Sequence, residues 1–302
     1  MNIASIDIGS NTVLLLIASI ENKILTPIIN KYESPRLGKG LKIGGKIEDA
    51  RIIHLLEILS DYKNLADKYN CAKIIVTATN AMRNASNTDE IRNKIKDELK
   101  LQVEIISGDK EAELSYYGAS SSMPDIYEKV VIDIGGGSTE IIYGNNSDIL
   151  FKNSFQVGVV SLTEMFLKNF PHENQSIRNA ICHLQNIFSP IDSAIPKGIK
   201  IIAVAGTPTT LSCIKQNLRT YEEKKVEGSI IDLKDLNSIY KKMLPMSPAQ
   251  IISNFGSVVS GREDVLFGGL LILQHLLKMI NTNIINVSSR GIRYGSIINY
   301  LY

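Results

Sequence analysis

Two short stretches of the chain put a carboxylate, a glycine turn and several hydroxyls within a few residues of each other. Ile6-Asp7-Ile8-Gly9-Ser10-Asn11-Thr12 opens the sequence, and Ile132-Asp133-Ile134-Gly135-Gly136-Gly137-Ser138-Thr139 repeats its plan near the middle. In each, a strand-like apolar run reaches an Asp, the chain bends through glycine, and a second strand-like run follows. A glycine turn lets the backbone approach an anion closely and aim N–H groups at phosphate oxygens. Ser10, Asn11, Thr12, Ser138 and Thr139 can add donors beside Gly135, Gly136 and Gly137, while Asp7 and Asp133 suit a hydrated divalent cation. One such tripeptide is an ordinary hairpin. Two copies, one with three successive glycines, predict phosphate binding.

Further residues could complete that chemistry. Glu111, near the start of a helix expected over Gly108–Ala119, could orient and deprotonate a water beside a phosphorus atom. Glu140 follows the triple glycine by three residues and could finish a metal or water site. Each glutamate taken alone is more often a helix-surface charge or a strand residue. Arg83, in Thr77-Ala78-Thr79-Asn80-Ala81-Met82-Arg83, offers a guanidinium fork for phosphate, with a solvated helix charge as the alternative. Ala205-Gly206-Thr207-Pro208 is a strand-to-helix turn suited to an anion, with simple capping as its competitor. The arginines of Gly261-Arg262-Glu263-Asp264 and of Ser288–Gly295 read as structural.

The surrounding pattern alternates strands and helices, which favours an α/β fold. Strands are expected over Asn2–Ile8, Thr12–Ile20, Ile24–Tyr32, Lys73–Ala78 and Leu101–Ile106. Helices are expected over Lys46–Tyr69 and Thr88–Leu99. After a linker at Ser120–Pro124 the plan restarts with strands at Lys129–Ile134, Ser138–Tyr143 and Ile149–Gln156. Helices at Ser161–Asn169 and Ser176–Ala194, a strand at Lys200–Ala205, a solvated charged loop at Asn217–Gly228, a helix at Gly261–Ile280, a strand at Asn283–Ser288 and a terminal helix complete it. The repeat divides the chain into domains 1–121 and 122–302, the last helix free to pack back on the first. Ligands are then expected between the domains, where the two turns converge.

Composition narrows the functions. The formal net charge of +2 over 302 residues, with no basic tail, gives no support to bulk nucleic-acid binding, and the absence of Trp argues against an aromatic platform for single strands. No apolar run reaches the length of a membrane span, and the first residues lack the features of a leader peptide. Three scattered cysteines outside any CxxC fit reduced thiols in a cytoplasmic protein, and the four histidines form no zinc-ligand spacing.

Together these residues resemble the exopolyphosphatase/guanosine-pentaphosphatase (Ppx/GppA) family. The matching stretches follow in order along nearly the whole chain: IDIGSNT, RLGKGL, TATNAMRNASN, IISGDKEAELSYYG, VIDIGGGSTE, QVGVVSLTE, AVAGTPTTL, REDVLFGG and SSRGIRYG. The resemblance implies two ribonuclease-H-like domains of the actin/chaperone/sugar-kinase superfamily flanking an interdomain cleft. It implies hydrolysis, dependent on Mg²⁺ or another divalent cation, of the terminal phosphate of inorganic polyphosphate or guanosine pentaphosphate, and a homodimer. Glu111 matches the family's general base, Asp133, Gly135 and Glu140 match other active-site positions, and Arg83 matches a phosphate-binding arginine. The expected metal ligands are Asp7, Asp133 and Glu140; Gly206 and Thr207 join the phosphate contacts. Leu14, Lys110 and Pro208 depart from the family pattern, and Leu14 removes one phosphate contact. A sugar kinase of the same superfamily and a non-catalytic sensor are the rival readings.

Overall fold

Seven residues from Asn2 to Ile8 form a strand that is buried on both faces, as expected of a strand in the middle of a covered sheet. The computed structural model describes residues 1–302 and divides them into two units, Met1–Gly118 with Ile292–Tyr302, and Ala119–Gly291. No helix is long and apolar enough to cross a membrane.

The first unit contains β1 (Asn2–Ile8), β2 (Val13–Glu21), β3 (Ile24–Glu33), α1 (Asp49–Lys68), β4 (Cys71–Ala78), α2 (Asn80–Asn84), α3 (Thr88–Leu99), β5 (Val103–Ile105) and most of α4 (Gly108–Ser122). Its sheet runs β3-β2-β1-β4-β5, the first three antiparallel and the last two added in parallel. Strand alternation sorts the side chains. Ala4, Ile6 and Ile8 join Leu55, Leu59 and Ile91 of α1 and α3 on one face, while Ile3, Leu16 and Ala18 pack on the opposite face against Tyr294 and Ile297. Those two belong to the closing helix of the chain, Ile292–Leu301, labelled α13 by its place in the sequence. Arg293 of this helix donates to Leu15 O at 3.2 Å and to Asn30 Oδ1 at 2.7 Å, and a Cβ on Gly295 would strike the Leu114 carbonyl of α4.

The second unit contains β6 (Lys129–Ile134), β7 (Thr139–Gly144), β8 (Ile149–Phe155), α5 (Val159–Phe166), α6 (Asn174–Phe188), α7 (Ile191–Ala194), β9 (Ile201–Val204) and α8 (Gly206–Lys215). It continues with α9 (Glu223–Val226), β10 (Ile230–Asp232), α10 (Leu233–Met243), α11 (Pro248–Phe255), α12 (Leu266–Ile280) and β11 (Ile284–Val287). Its sheet order, β10-β11-β9-β6-β7-β8, reproduces the first sheet with one extra antiparallel strand at the edge. The predicted internal duplication is therefore a duplication of sheet topology. α12 is apolar almost all round and sits at the centre of the second core, where Gly268 and Gly269 let Thr163 of α5 and Thr207 of α8 approach its backbone.

Several sequence expectations change. Ser120–Ser122 is not a linker but the last turn of α4, where Ser122 Oγ bonds back to Ala119 O at 2.7 Å; the helix stops ahead of Pro124. The two units of the structure divide inside that helix, after Gly118, and α13 groups with the first unit. The expected helix over Ser176–Ala194 is broken into α6 and α7 around Pro190, which lacks the donor to continue a helix. The charged stretch Asn217–Gly228 is not wholly solvated: it forms α9, with Val226 fully buried.

Candidate active site

In the first unit the parallel strands end level. Ile8 pairs with Ala78, and Ala78 with Ile105, so the Gly9 turn, α2 and the start of α4 all leave the same carboxyl edge. That edge is where open α/β sheets take ligands. In the turn, Gly9 N–H donates to Thr12 O at 2.9 Å. The Arg36–Gly38 segment braces it, Gly38 N–H on Ser10 O at 2.7 Å and Arg36 N–H on Asn11 O at 3.1 Å. A trans peptide sets its N–H opposite its C=O. With the Ser10 and Asn11 carbonyls turned toward the brace, the N–H groups of Asn11 and Thr12 point the other way, as an anion cradle requires.

Beside the turn, two predicted residues form one group. Arg83 Nη1 of α2 lies 2.7 Å from Glu111 Oε2 of α4 and donates to Ile106 O at 2.9 Å. Glu111 is 5% exposed, and Arg83 Nη2 is buried with no hydrogen-bond partner. A buried, unsatisfied guanidinium donor costs free energy in a resting fold and suits an anionic ligand. The pair also fixes the carboxylate at an ångström scale, which a general base needs.

The second unit builds the same hairpin with different side chains. Gly135 N–H donates to Ser138 O at 3.0 Å, the counterpart of Gly9 to Thr12. Here the start of α5 is the brace: Val159 N–H on Gly135 O at 3.0 Å and Val160 N–H on Gly136 O at 2.8 Å. The N–H groups of Gly136 and Gly137 therefore point away from α5. Gly158 makes the approach possible, since a Cβ there would lie 2.5 Å from Gly135 O. Thr139 Oγ1 is engaged in the fold, donating to Val157 O at 2.6 Å.

Strand register puts Asp133 directly opposite Glu140, and Glu140 opposite Ser154 of β8, whose hydroxyl donates to Glu140 Oε1 at 2.6 Å. Asp133 is 6% and Glu140 0% exposed, so two carboxylates share one buried sheet face. Mg²⁺ is commonly held by one or two carboxylates, with water and substrate phosphate completing its shell, and these oxygens fit it. No group of three or more His, Cys, Asp or Glu gathers that could hold an ion. In the first hairpin the residue opposite Asp7 is Leu14, which leaves Asp7 without a cross-strand carboxylate.

The other predicted turn, at Gly206, follows β9 on the same carboxyl edge as Asp133, its neighbour in register. Ala205 adopts φ +72°, an unfavourable backbone for a residue with a Cβ, and the Arg262 guanidinium lies so close to Gly206 that any side chain there would collide with it. Thr207 is buried, packed on Gly269. The sequence reading overlooked Arg36, Gly38, Gly158, Ser154 and the nearness of Arg262. The RLGKGL and QVGV glycines were visible signals for the two braces; nothing local marked Ser154.

Two sheets of one topology, each with a glycine hairpin leaving its first strand, define a duplicated ribonuclease-H-like protein of the actin-like class. A model of the Ppx/GppA phosphatase family matches residues 16–302, and the chain belongs to that family. The bifunctional 3-dehydroquinate synthase/phosphatase of Fusobacterium nucleatum is 32% identical over 98% of this chain, which spans 46% of that protein. Exopolyphosphatase 2 of Mycobacterium tuberculosis is 28% identical, with 91% of this chain and 90% of that protein covered. A crystal structure of an exopolyphosphatase from Cytophaga hutchinsonii superposes with a TM-score of 0.92 at 28% identity, covering 100% of this chain and 98% of that one.

Proposed function

We propose that the protein is an exopolyphosphatase that releases orthophosphate from the end of inorganic polyphosphate. The observation that carries this reading is the Arg83–Glu111 pair at the carboxyl edge that also holds the Gly9 turn. Coverage of nine-tenths of the length of an exopolyphosphatase supports it. Three free cysteines fit a reducing cytoplasm.

Glu111 accepts a proton from a water, and the water oxygen attacks the terminal phosphorus in line with the bridging oxygen. The P–O bond to the chain breaks, and its electron pair leaves with the shortened polyphosphate. The N–H groups of Asn11 and Thr12 and the Arg83 fork hold the phosphoryl oxygens as charge redistributes, and the outward N–H groups of Gly136 and Gly137 suit phosphate oxygens in the same way. Asp133 and Glu140 would hold a divalent cation, which would supply positive charge to offset developing negative charge on phosphate oxygens. Phosphate release, measured with polyphosphates of several lengths, guanosine pentaphosphate and ATP, with and without Mg²⁺, tests the reading. Release from polyphosphate alone, dependent on Mg²⁺, is expected. Preference for guanosine pentaphosphate would move the assignment to that substrate, and no release from either would end it.

A further inference from the structure

Beyond β11 the chain turns through Ser288-Ser289-Arg290-Gly291, and the donors of this turn converge on one carboxylate. Glu227 Oε2 accepts Ser289 N–H at 2.7 Å and Ser289 Oγ at 2.6 Å, and Glu227 Oε1 accepts Ser288 Oγ at 3.1 Å. Ser288 Oγ itself accepts Arg290 N–H at 3.0 Å and donates its own proton to Glu227. Glu223 Oε1 stands 3.0 Å from Ser289 Oγ as a second acceptor. One backbone amide and two hydroxyls aimed at an oxyanion are also what a tetrahedral phosphoryl group requires.

The position of this turn matters. β11 runs parallel to β9, and β9 to β6, so the serine pair leaves the same carboxyl edge as the triple-glycine turn. A Cβ on Gly291 would lie 3.8 Å from Asp133 Oδ2, which puts the turn beside the carboxylates assigned to the cation. Ser288 and Ser289 are buried, at 0% and 7% exposure. Glu227 is half-buried and follows α9, a helix of a single turn that contributes little stability of its own.

We propose that the Ser288–Ser289 turn is a subsite for an inner phosphoryl group of a condensed phosphate, and that Glu227 fills it until substrate displaces the carboxylate. The proposal rests on the phosphatase reading above and extends it: the ligand must carry more than one phosphoryl group. Glu227 then competes with substrate. Replacing it by Gln keeps its size and an acceptor for the serine donors but removes the competing charge. Were Glu227 only a strut for β11, Gln would leave binding unchanged and Ala would lower stability alone.

Calorimetric titration of the full chain with tripolyphosphate and with orthophosphate, in Glu111→Gln protein to suppress turnover, tests this. Adding Glu227→Gln is expected to tighten tripolyphosphate binding about tenfold. Orthophosphate binding should change less than about twofold, and a further Ser289→Ala should reverse the gain. With Glu111 intact, Glu227→Gln should lower KM for polyphosphate with kcat unchanged. Folded Glu227→Gln protein that binds tripolyphosphate no more tightly than its parent overturns the subsite, even if wild type still hydrolyses polyphosphate. An inactive wild type would instead strike at the phosphatase reading.

Discussion

Arg83 Nη1 and Glu111 Oε2 lie 2.7 Å apart, joining two residues that are 28 positions apart in sequence and sit on different helices. The contact gives the arginine two tasks: to fix the carboxylate through Nη1 and to present Nη2 to an anion. Lysine keeps the charge but not the fork. Arg83→Lys is therefore expected to lower kcat/KM for polyphosphate about a hundredfold through both kcat and KM, with thermal stability nearly unchanged. Steady-state kinetics on polyphosphate check this; an effect confined to KM would remove the orienting task.

Gly158 is where a single methyl group should damage the second hairpin. Its Cβ would meet the Gly135 carbonyl at 2.5 Å and Gly136 O at 2.6 Å, backbone atoms that cannot rotate aside. Gly158→Ala is expected to cost about 1–3 kcal/mol of stability and to reduce activity beyond what unfolding explains, because the outward N–H groups shift with the turn. Gly198, with no atom near its Cβ direction but φ +74°, supplies a strained-backbone control far from that hairpin in sequence. Urea denaturation paired with rate measurements separates the two effects.

The pairing of Asp133 with Glu140, against that of Asp7 with Leu14, predicts where the cation binds. Glu140→Gln and Asp133→Asn should each raise the Mg²⁺ concentration for half-maximal activity by at least about tenfold. Asp7→Asn should move that concentration much less. Mg²⁺ titrations of initial rate decide it.

Much of this arrangement was legible in the sequence. The repeated Asp-Ile-Gly turn identified both hairpins, and apolar strands leading into glycine turns located the carboxyl edges. Pairing between Arg83 and Glu111 was not legible, because it depends on β1, β4 and β5 ending level. The bracing of each hairpin depends likewise on long-range backbone bonds from Gly38 and Val159. α10 and α11 were overlooked although their signals were local. Asp232 caps Asp235 N–H at 2.8 Å, and Ser247, followed by Pro248 at the first helical position, caps Gln250. The serine run at Ser120–Ser122 misled for the opposite reason: composition resembled a linker, but the hydroxyl of Ser122 found a carbonyl within the helix.

Acid should weaken the second unit through two histidines. His172 lies between Phe170 and Phe267, ring centroids 4.5 Å away on each side, and burial pushes its pKa down against an opposing Asn169 hydrogen bond. Burial, with Lys278 adding to it and Asp192 opposing, also lowers His275. Both pKa values fall below the unfolded value of about 6.5, so as pH drops through that value the unfolded chain takes up protons first and stability declines. Urea midpoints at pH 7.5 and pH 5.5 are expected to fall more in wild type than in a His172→Gln/His275→Gln variant. Equal declines would assign the acid sensitivity elsewhere.

The proposed hydrolysis depends most directly on the carboxylate of Glu111. The decisive measurement is the initial rate of orthophosphate release from polyphosphate, with Mg²⁺, by wild type and by folded Glu111→Gln protein. Loss of about 10²- to 10⁴-fold in kcat, with polyphosphate affinity largely retained, is predicted for removal of a general base. A Glu111→Gln enzyme that releases phosphate at near the wild-type rate would contradict the account.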